Sequence, residues 1–118
     1  MIGVTVEGDR VVLLLLGRRR DVLVSCGEAE KLADALRRGA NTAENAKPTL
    51  VRGERWEACV ESCDGVVGVR FLSPEPGYPQ RIPLPPQVAR ALANRIRFKA
   101  QQAAYRMRFV FKGVQYGV

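Results

Sequence analysis

The chain has 118 residues, 47% hydrophobic and 26% charged, a balance that gives no sign of disorder over most of its length and suits one globular domain able to bury a core without disulfide or metal staples. Its longest apolar run, Val11–Leu16, is far short of the roughly 20 residues that cross a bilayer, and it holds no histidine, which removes the commonest general base and metal ligand. The net charge of +7 is one-sided: every acid lies at or before Glu75, after which Arg81, Arg90, Arg95, Arg97, Lys99, Arg106, Arg108 and Lys112 follow with no acid among them.

Met1–Glu7 shows neither a basic n-region nor a cleavage site, so a cytoplasmic location is expected, in a bacterial or phage-infected cell. Val4–Glu7 reads as a first strand. The Gly8-Asp9 turn and a second strand, Val11–Leu16, follow. Gly17–Asp21 is a loop, and Val22–Ser25 is a short third strand leading into a helix. Ser25 stands three residues before Glu28 in capping-box spacing. Ala29, Leu32, Ala33 and Leu36 form an apolar stripe at helical period, and Gly39 marks a stop. Asn41–Pro48 reads as a linker.

The same order then recurs. Arg55–Ser62 is a strand and Asp64-Gly65 a hairpin turn, since both turn positions favour residues that tolerate positive φ. Val66–Leu72 is the next strand, 72–81 a longer Pro-rich loop, and Arg81–Leu84 a short strand. Pro85-Pro86 opens a second, longer helix of 20–24 residues, proline being favoured in the first turn. Its stripe is Val88, Leu92, Ile96, Ala100 or Ala103, and Met107.

Asp9, Val11 and Val12 match Asp64, Val66 and Val67 at an offset of 55, and Ala29, Leu32, Ala33, Arg37, Ala40 and Ala43 match Ala89, Leu92, Ala93, Arg97, Ala100 and Ala103 at an offset of 60. The extra residues fall in a loop, where insertions are tolerated. The expected fold is α+β, an internally duplicated β-β-β-α unit with antiparallel sheets packed on two helices. The expected boundaries are unit one 1–46, linker about 41–48, unit two 49–112 and tail 113–118. Several single-stranded-DNA binders are similar in architecture, pairing a curved antiparallel sheet with a following helix and duplicating or dimerising that unit. They usually carry four strands per unit where three are counted here, and no motif is shared.

On this alignment Val12, Leu14 and Leu16 match Val67, Val69 and Phe71 as the helix-packed face. Val11, Leu13 and Leu15 then form an apolar outer face, a candidate surface for self-association as a homodimer or for a host protein. Gly68 and Arg70 open the corresponding face of the second unit. Cys59 and Cys63 share a strand face without a second ligand pair, and Cys26 precedes a helix start. They read as core-filling or inert side chains, with no metal and no cofactor expected. No catalytic constellation is found.

What remains is cations interleaved with aromatics, the combination that holds phosphates and stacks bases. The candidate nucleic-acid-binding residues are Arg18, Arg19, Arg20, Arg70, Arg81, Arg90, Arg95, Arg97, Lys99, Arg106 and Arg108. Trp56, Tyr78 and Tyr105 are candidates for base stacking. The reading is a small non-catalytic nucleic-acid-binding protein, with a protein-interaction module that modulates a host protein as the alternative.

Overall fold

A computed structural model describes residues 2–8, 10–15, 20–41, 46–54, 56–72 and 81–111, with backbone only at 14, 15, 20, 21, 46, 72 and 106–111. The chain is α+β, with two antiparallel sheets and two helices. Strands β1 (Ile2–Glu7), β2 (Arg10–Leu15) and β3 (Arg20–Val24) form a three-stranded meander, followed by helix α1 (Cys26–Asn41). Strands β4 (Ala46–Arg52), β5 (Glu57–Cys63), β6 (Val66–Leu72) and β7 (Ile82–Leu84) form the second sheet in that order, followed by α2 (Pro86–Phe111). Among the described residues, no helix is long and apolar enough to cross a membrane.

Strand β4 corrects the expected linker. Its segment, Ala-Lys-Pro-Thr-Leu-Val-Arg, shows no clean alternation, because the register shifts between Ala46 and Thr49. The strand exists through its pairing with β5, Leu50 opposite Cys59 and Val51 opposite Ala58. The second sheet therefore has four strands where three were expected. Gly39 does not end α1. Its Cα packs so closely on the second sheet that an added Cβ would lie 3.3 Å from Val67 Cγ1.

The core face of β2 is also corrected. Val11 and Leu13 are at 0% exposure and lie in the core cluster with both helices, so the face read as a self-association surface is interior. The side chain of Leu15 lies outside the described residues. Val12 is buried outside that cluster, and its cross-strand neighbour Leu23 is 51% exposed. The error has a single source, the turn. Glu7 pairs with Arg10 across Gly8-Asp9, and Cys63 pairs with Val66 across Asp64-Gly65. Aligning Asp9 with Asp64 therefore puts the strands one residue out of phase. The offset that superposes the hairpins is 56, from Glu7 to Cys63, and a one-residue slip exchanges the two faces of a strand. Positive φ at Gly8 (63°), Asp64 (54°) and Gly65 (75°) marks the turn positions.

With that correction the two meanders match in register. Val11 faces Val24 and Leu13 faces Val22; Val67 faces Leu84 and Val69 faces Ile82. The helices match as well. Ala29, Leu32, Ala33, Leu36 and Ala40 are buried on α1, and Ala89, Leu92, Ala93, Ile96 and Ala100 on α2. Val88, expected in that stripe, is 43% exposed. Each helix packs chiefly on the sheet that does not precede it, α2 on β1 and β2, and α1 on β4, β5 and β6.

The helices run antiparallel, and polar side chains fix their register. Arg37 Nη2 donates to Asn94 Oδ1 at 2.7 Å, and Arg97 Nη2 donates to Asp34 Oδ1 at 2.7 Å. These bonds are reciprocal, since Arg37 and Arg97, like Asp34 and Asn94, occupy equivalent positions on the two helices.

Candidate nucleic-acid interface

The start of α1 is built by the expected capping box. Ser25 N–H donates to Glu28 Oε1 at 3.0 Å, and Glu28 N–H donates to Ser25 Oγ at 3.3 Å. Glu28 also clasps the β4–β5 connection. Its carboxylate accepts the Glu54 N–H at 2.7 Å and the Trp56 indole N–H at 3.3 Å. Partial burial alone pushes this carboxyl up. The N–H groups of Ser25 and Glu54, with the Trp56 and Ser25 side chains, outweigh it and hold the pKa below the ordinary 4.5.

That clasp removes Trp56 from the candidate stacking residues. The indole is buried, with its ring centroid 6.3 Å from that of Phe71. Tyr78 lies outside the described residues.

The outer face of the four-stranded sheet is largely self-neutralised. Arg52 Nε lies 3.1 Å from Glu57 Oε1, and Arg81 Nε lies 3.0 Å from Glu61 Oε1. The expected opening at Gly68 is filled, since a Cβ there would overlap the Arg81 guanidinium. The Arg81–Glu61 contact is an ion pair by distance, and among the described residues the buried Arg81 Nε and Nη2 have no hydrogen-bond partner. Arg70 is exposed on the same sheet.

Cys59 and Cys63 share the outer face of β5 and are half-buried there, opposite the core face carrying Ala58 and Val60. They do not fill the core. The adjacent Asp64 charge, followed by burial, pushes the Cys63 thiol pKa up, away from reactive-thiolate behaviour. Among the described residues, no group of three or more Cys, Asp or Glu could hold a metal ion.

The basic residues of α2 divide into two sets. Arg90 and Arg97 face α1. Arg90 donates through Nε to Asn41 Oδ1 at 3.0 Å and through Nη2 to the Ala40 carbonyl at 3.1 Å. Arg97 is held by Asp34. Both join the helices. Arg95 and Lys99 lie on the side of α2 away from those contacts, with Arg95 exposed and Lys99 half-buried.

Between these two sets runs a solvent-facing stripe that includes Phe98 (57% exposed), Gln102 and Tyr105 (61% exposed). Seven residues separate the two rings, two helical turns or about 10.5 Å along one face. Phe98 escaped the sequence reading, although its place opposite Leu92, Ile96 and Ala100 on a helical wheel marks it as outward.

Arg18 and Arg19 lie outside the described residues. Arg20 is described as a strand residue, and Arg106 and Arg108 as helical residues, by backbone alone. The site that the fold brings together is therefore one face of α2: Arg95, Phe98, Lys99, Gln102 and Tyr105, on a helix of 26 residues without an acid. No family model, curated protein or solved structure matches the chain.

Proposed function

We propose that the chain is a non-catalytic nucleic-acid-binding protein that engages its ligand through the solvent face of α2. The observation that carries this reading is the combination on that face. Two solvent-exposed rings, Phe98 and Tyr105, alternate with Arg95 and Gln102, with Lys99 alongside, and no carboxylate lies anywhere on the helix. Cations hold the phosphates, and rings with more than half their surface open can take a base face. The outer face of the four-stranded sheet supports binding less well, because Glu57 and Glu61 occupy two of its arginines.

We further read the two β-β-β-α units as copies of one ancestral unit, with β4 an addition to the second. The matched meander registers, the matched buried helix positions and the reciprocal Arg37–Asn94 and Arg97–Asp34 bonds support this reading.

Fluorescence anisotropy with labelled single-stranded and duplex oligonucleotides, titrated at low and then rising salt, tests the function. Binding that weakens steeply with salt is expected. No binding to either form at low salt would end the proposal.

A further inference from the structure

We infer that the ligand of the α2 face is a single strand of nucleic acid, laid along the helix with its bases on a row of rings, Phe98 and Tyr105, and its phosphates on a row of cations, Arg95 and Lys99. This assignment rests on the nucleic-acid reading of that face and narrows it to one strand.

At about 100° per residue, Phe98 and Tyr105 fall within about 20° of one line along α2. That line lies opposite the buried Ala89, Ala93, Ile96 and Ala100, and the two rings are 57% and 61% exposed. Arg95 and Lys99 form a second row about a quarter turn round the helix. At a side-chain radius of about 5 Å the two rows stand about 7 Å apart, close to the span of one nucleotide from phosphate to base. Gln102 falls between the rows and is exposed, with an amide that can both donate to and accept from a base edge.

The placement of charge favours one strand over two. Among the described residues, the cations of this face stand on one side of the ring row. On the other side are Asn94 and Gln101, exposed and uncharged. The arginines beyond them, Arg37, Arg90 and Arg97, are hydrogen-bonded across the helix pair. A helix seated in a duplex groove has a phosphate backbone on each flank. A single strand has one backbone, and the face offers one row of cations to hold it.

The rings favour the same choice. In a duplex each base is covered by its neighbours at about 3.4 Å per step, and a helix in the major groove reaches only base edges. Two exposed rings would gain little there beyond contact with thymine methyl groups. A single strand can part its bases and lay them on aromatic faces. The rings are about 10.5 Å apart, or about three stacked steps of 3.4 Å, so about four nucleotides fill the site.

The test uses the full chain at low salt with labelled oligothymidine, oligouridine and a blunt-ended duplex of equal nucleotide count. Binding is followed by anisotropy and by NMR of the aromatic ring protons. Single strands should bind at least tenfold more tightly than the duplex and should shift the Phe98 and Tyr105 ring signals. Oligothymidine affinity should rise steeply up to about four nucleotides and slowly beyond. Phe98→Leu and Tyr105→Leu each keep an apolar side chain that suits a helix but remove the ring face. Each should weaken single-strand binding about 5- to 150-fold and leave duplex binding unchanged. Unchanged Trp56 emission shows that the variants have folded. Tighter binding of oligouridine assigns the strand to RNA and tighter binding of oligothymidine to DNA, and either supports the inference. Equal or tighter binding of the duplex overturns it, as does equal loss of duplex and single-strand affinity in the two variants; both leave the nucleic-acid reading standing. Movement of the ring signals with protein concentration alone would assign the rings to a second copy and also overturns it. Absence of binding to all three probes ends the nucleic-acid reading, and this assignment with it.

Discussion

Neutralising Arg95 and Lys99 together is the most informative change to the α2 face. Neither side chain has a carboxylate partner on its own helix, because α2 has no acid. Arg95→Gln/Lys99→Gln keeps a polar, unbranched side chain of similar helix propensity, so the fold should be unchanged. Each phosphate contact contributes about 0.7 to the salt slope of log K on single strands and about 0.9 on B-form duplex. Losing two contacts therefore flattens the slope by about 1.4 or 1.8. Between 50 and 200 mM salt, wild-type affinity should fall about 7-fold (single strand) or 12-fold (duplex) more than that of the variant. Anisotropy titrations at four salt concentrations read this directly. Arg97→Gln is the paired control. It removes the 2.7 Å bond to Asp34 and should lower the melting temperature with little effect on the slope. If the double variant keeps the wild-type slope, or if Arg97→Gln changes the slope as much, the division of α2 into a binding side and a helix-pairing side is wrong.

Phe98→Ala should weaken single-strand binding by about 1–3 kcal/mol, the usual worth of a stacked base. Urea denaturation should show little change in stability, because the ring is 57% exposed. Glu28→Gln should cost about 1 kcal/mol through the weakened cap. It should also red-shift Trp56 emission as the indole loses its carboxylate partner. The folded pKa of Glu28 lies below its ordinary value, so its carboxylate contributes stability above about pH 4.5, which is lost as pH falls through the folded value. Stability measured from pH 6 to pH 3 should fall less steeply in Glu28→Gln than in the wild type. Leu13→Ala should cost about 2–5 kcal/mol and Leu23→Ala within about 0.5 kcal/mol. The reverse order would restore the strand phase that the Gly8-Asp9 pairing rejects.

The parts of the fold legible from sequence are those whose signals are local. The Ser25–Glu28 box needs only four residues of chain, and the Asp64-Gly65 turn only two. The stripe Leu92, Ile96, Ala100 follows from helical period alone. Strand β2 was misread because Val11–Leu16 is apolar at every position, so alternation cannot tell one face from the other. Only the turn sets the phase, and Gly-Asp and Asp-Gly present their aspartates in opposite order. Strand β4 depends on a partner in β5 and carries a lysine, a proline and a register shift of its own. Of the candidate site, the acid-free character of α2 was visible in the sequence. That Arg90 and Arg97 are held by Asn41, Ala40 and Asp34 was not, because those partners lie 49 to 63 residues away.

The pairing of α1 with α2 separates what packing requires from what it leaves free. At equivalent buried positions the helices carry nearly the same residues. At surface positions related by the 60-residue offset, Glu28, Glu30 and Asp34 of α1 correspond to Val88, Arg90 and Asn94 of α2. The shared core therefore tolerates acids at these positions, and their absence from α2 is not imposed by folding. Restoring two of them tests whether the charge serves binding. Val88 and Asn94 are both exposed, and Asn94→Asp would give Arg37 the same carboxylate partner that Arg97 has in Asp34. Val88→Glu/Asn94→Asp should leave stability within about 1 kcal/mol of wild type. Val88→Glu adds one negative charge on the side of α2 that carries Arg95 and Lys99 and should lower nucleic-acid affinity about threefold at low salt, while Asn94→Asp, paired with Arg37 on the helix-pairing side, should add little to that loss. Equal stability with unchanged affinity would mean that the basic character of α2 is incidental to binding, and the proposed interface would have to be abandoned.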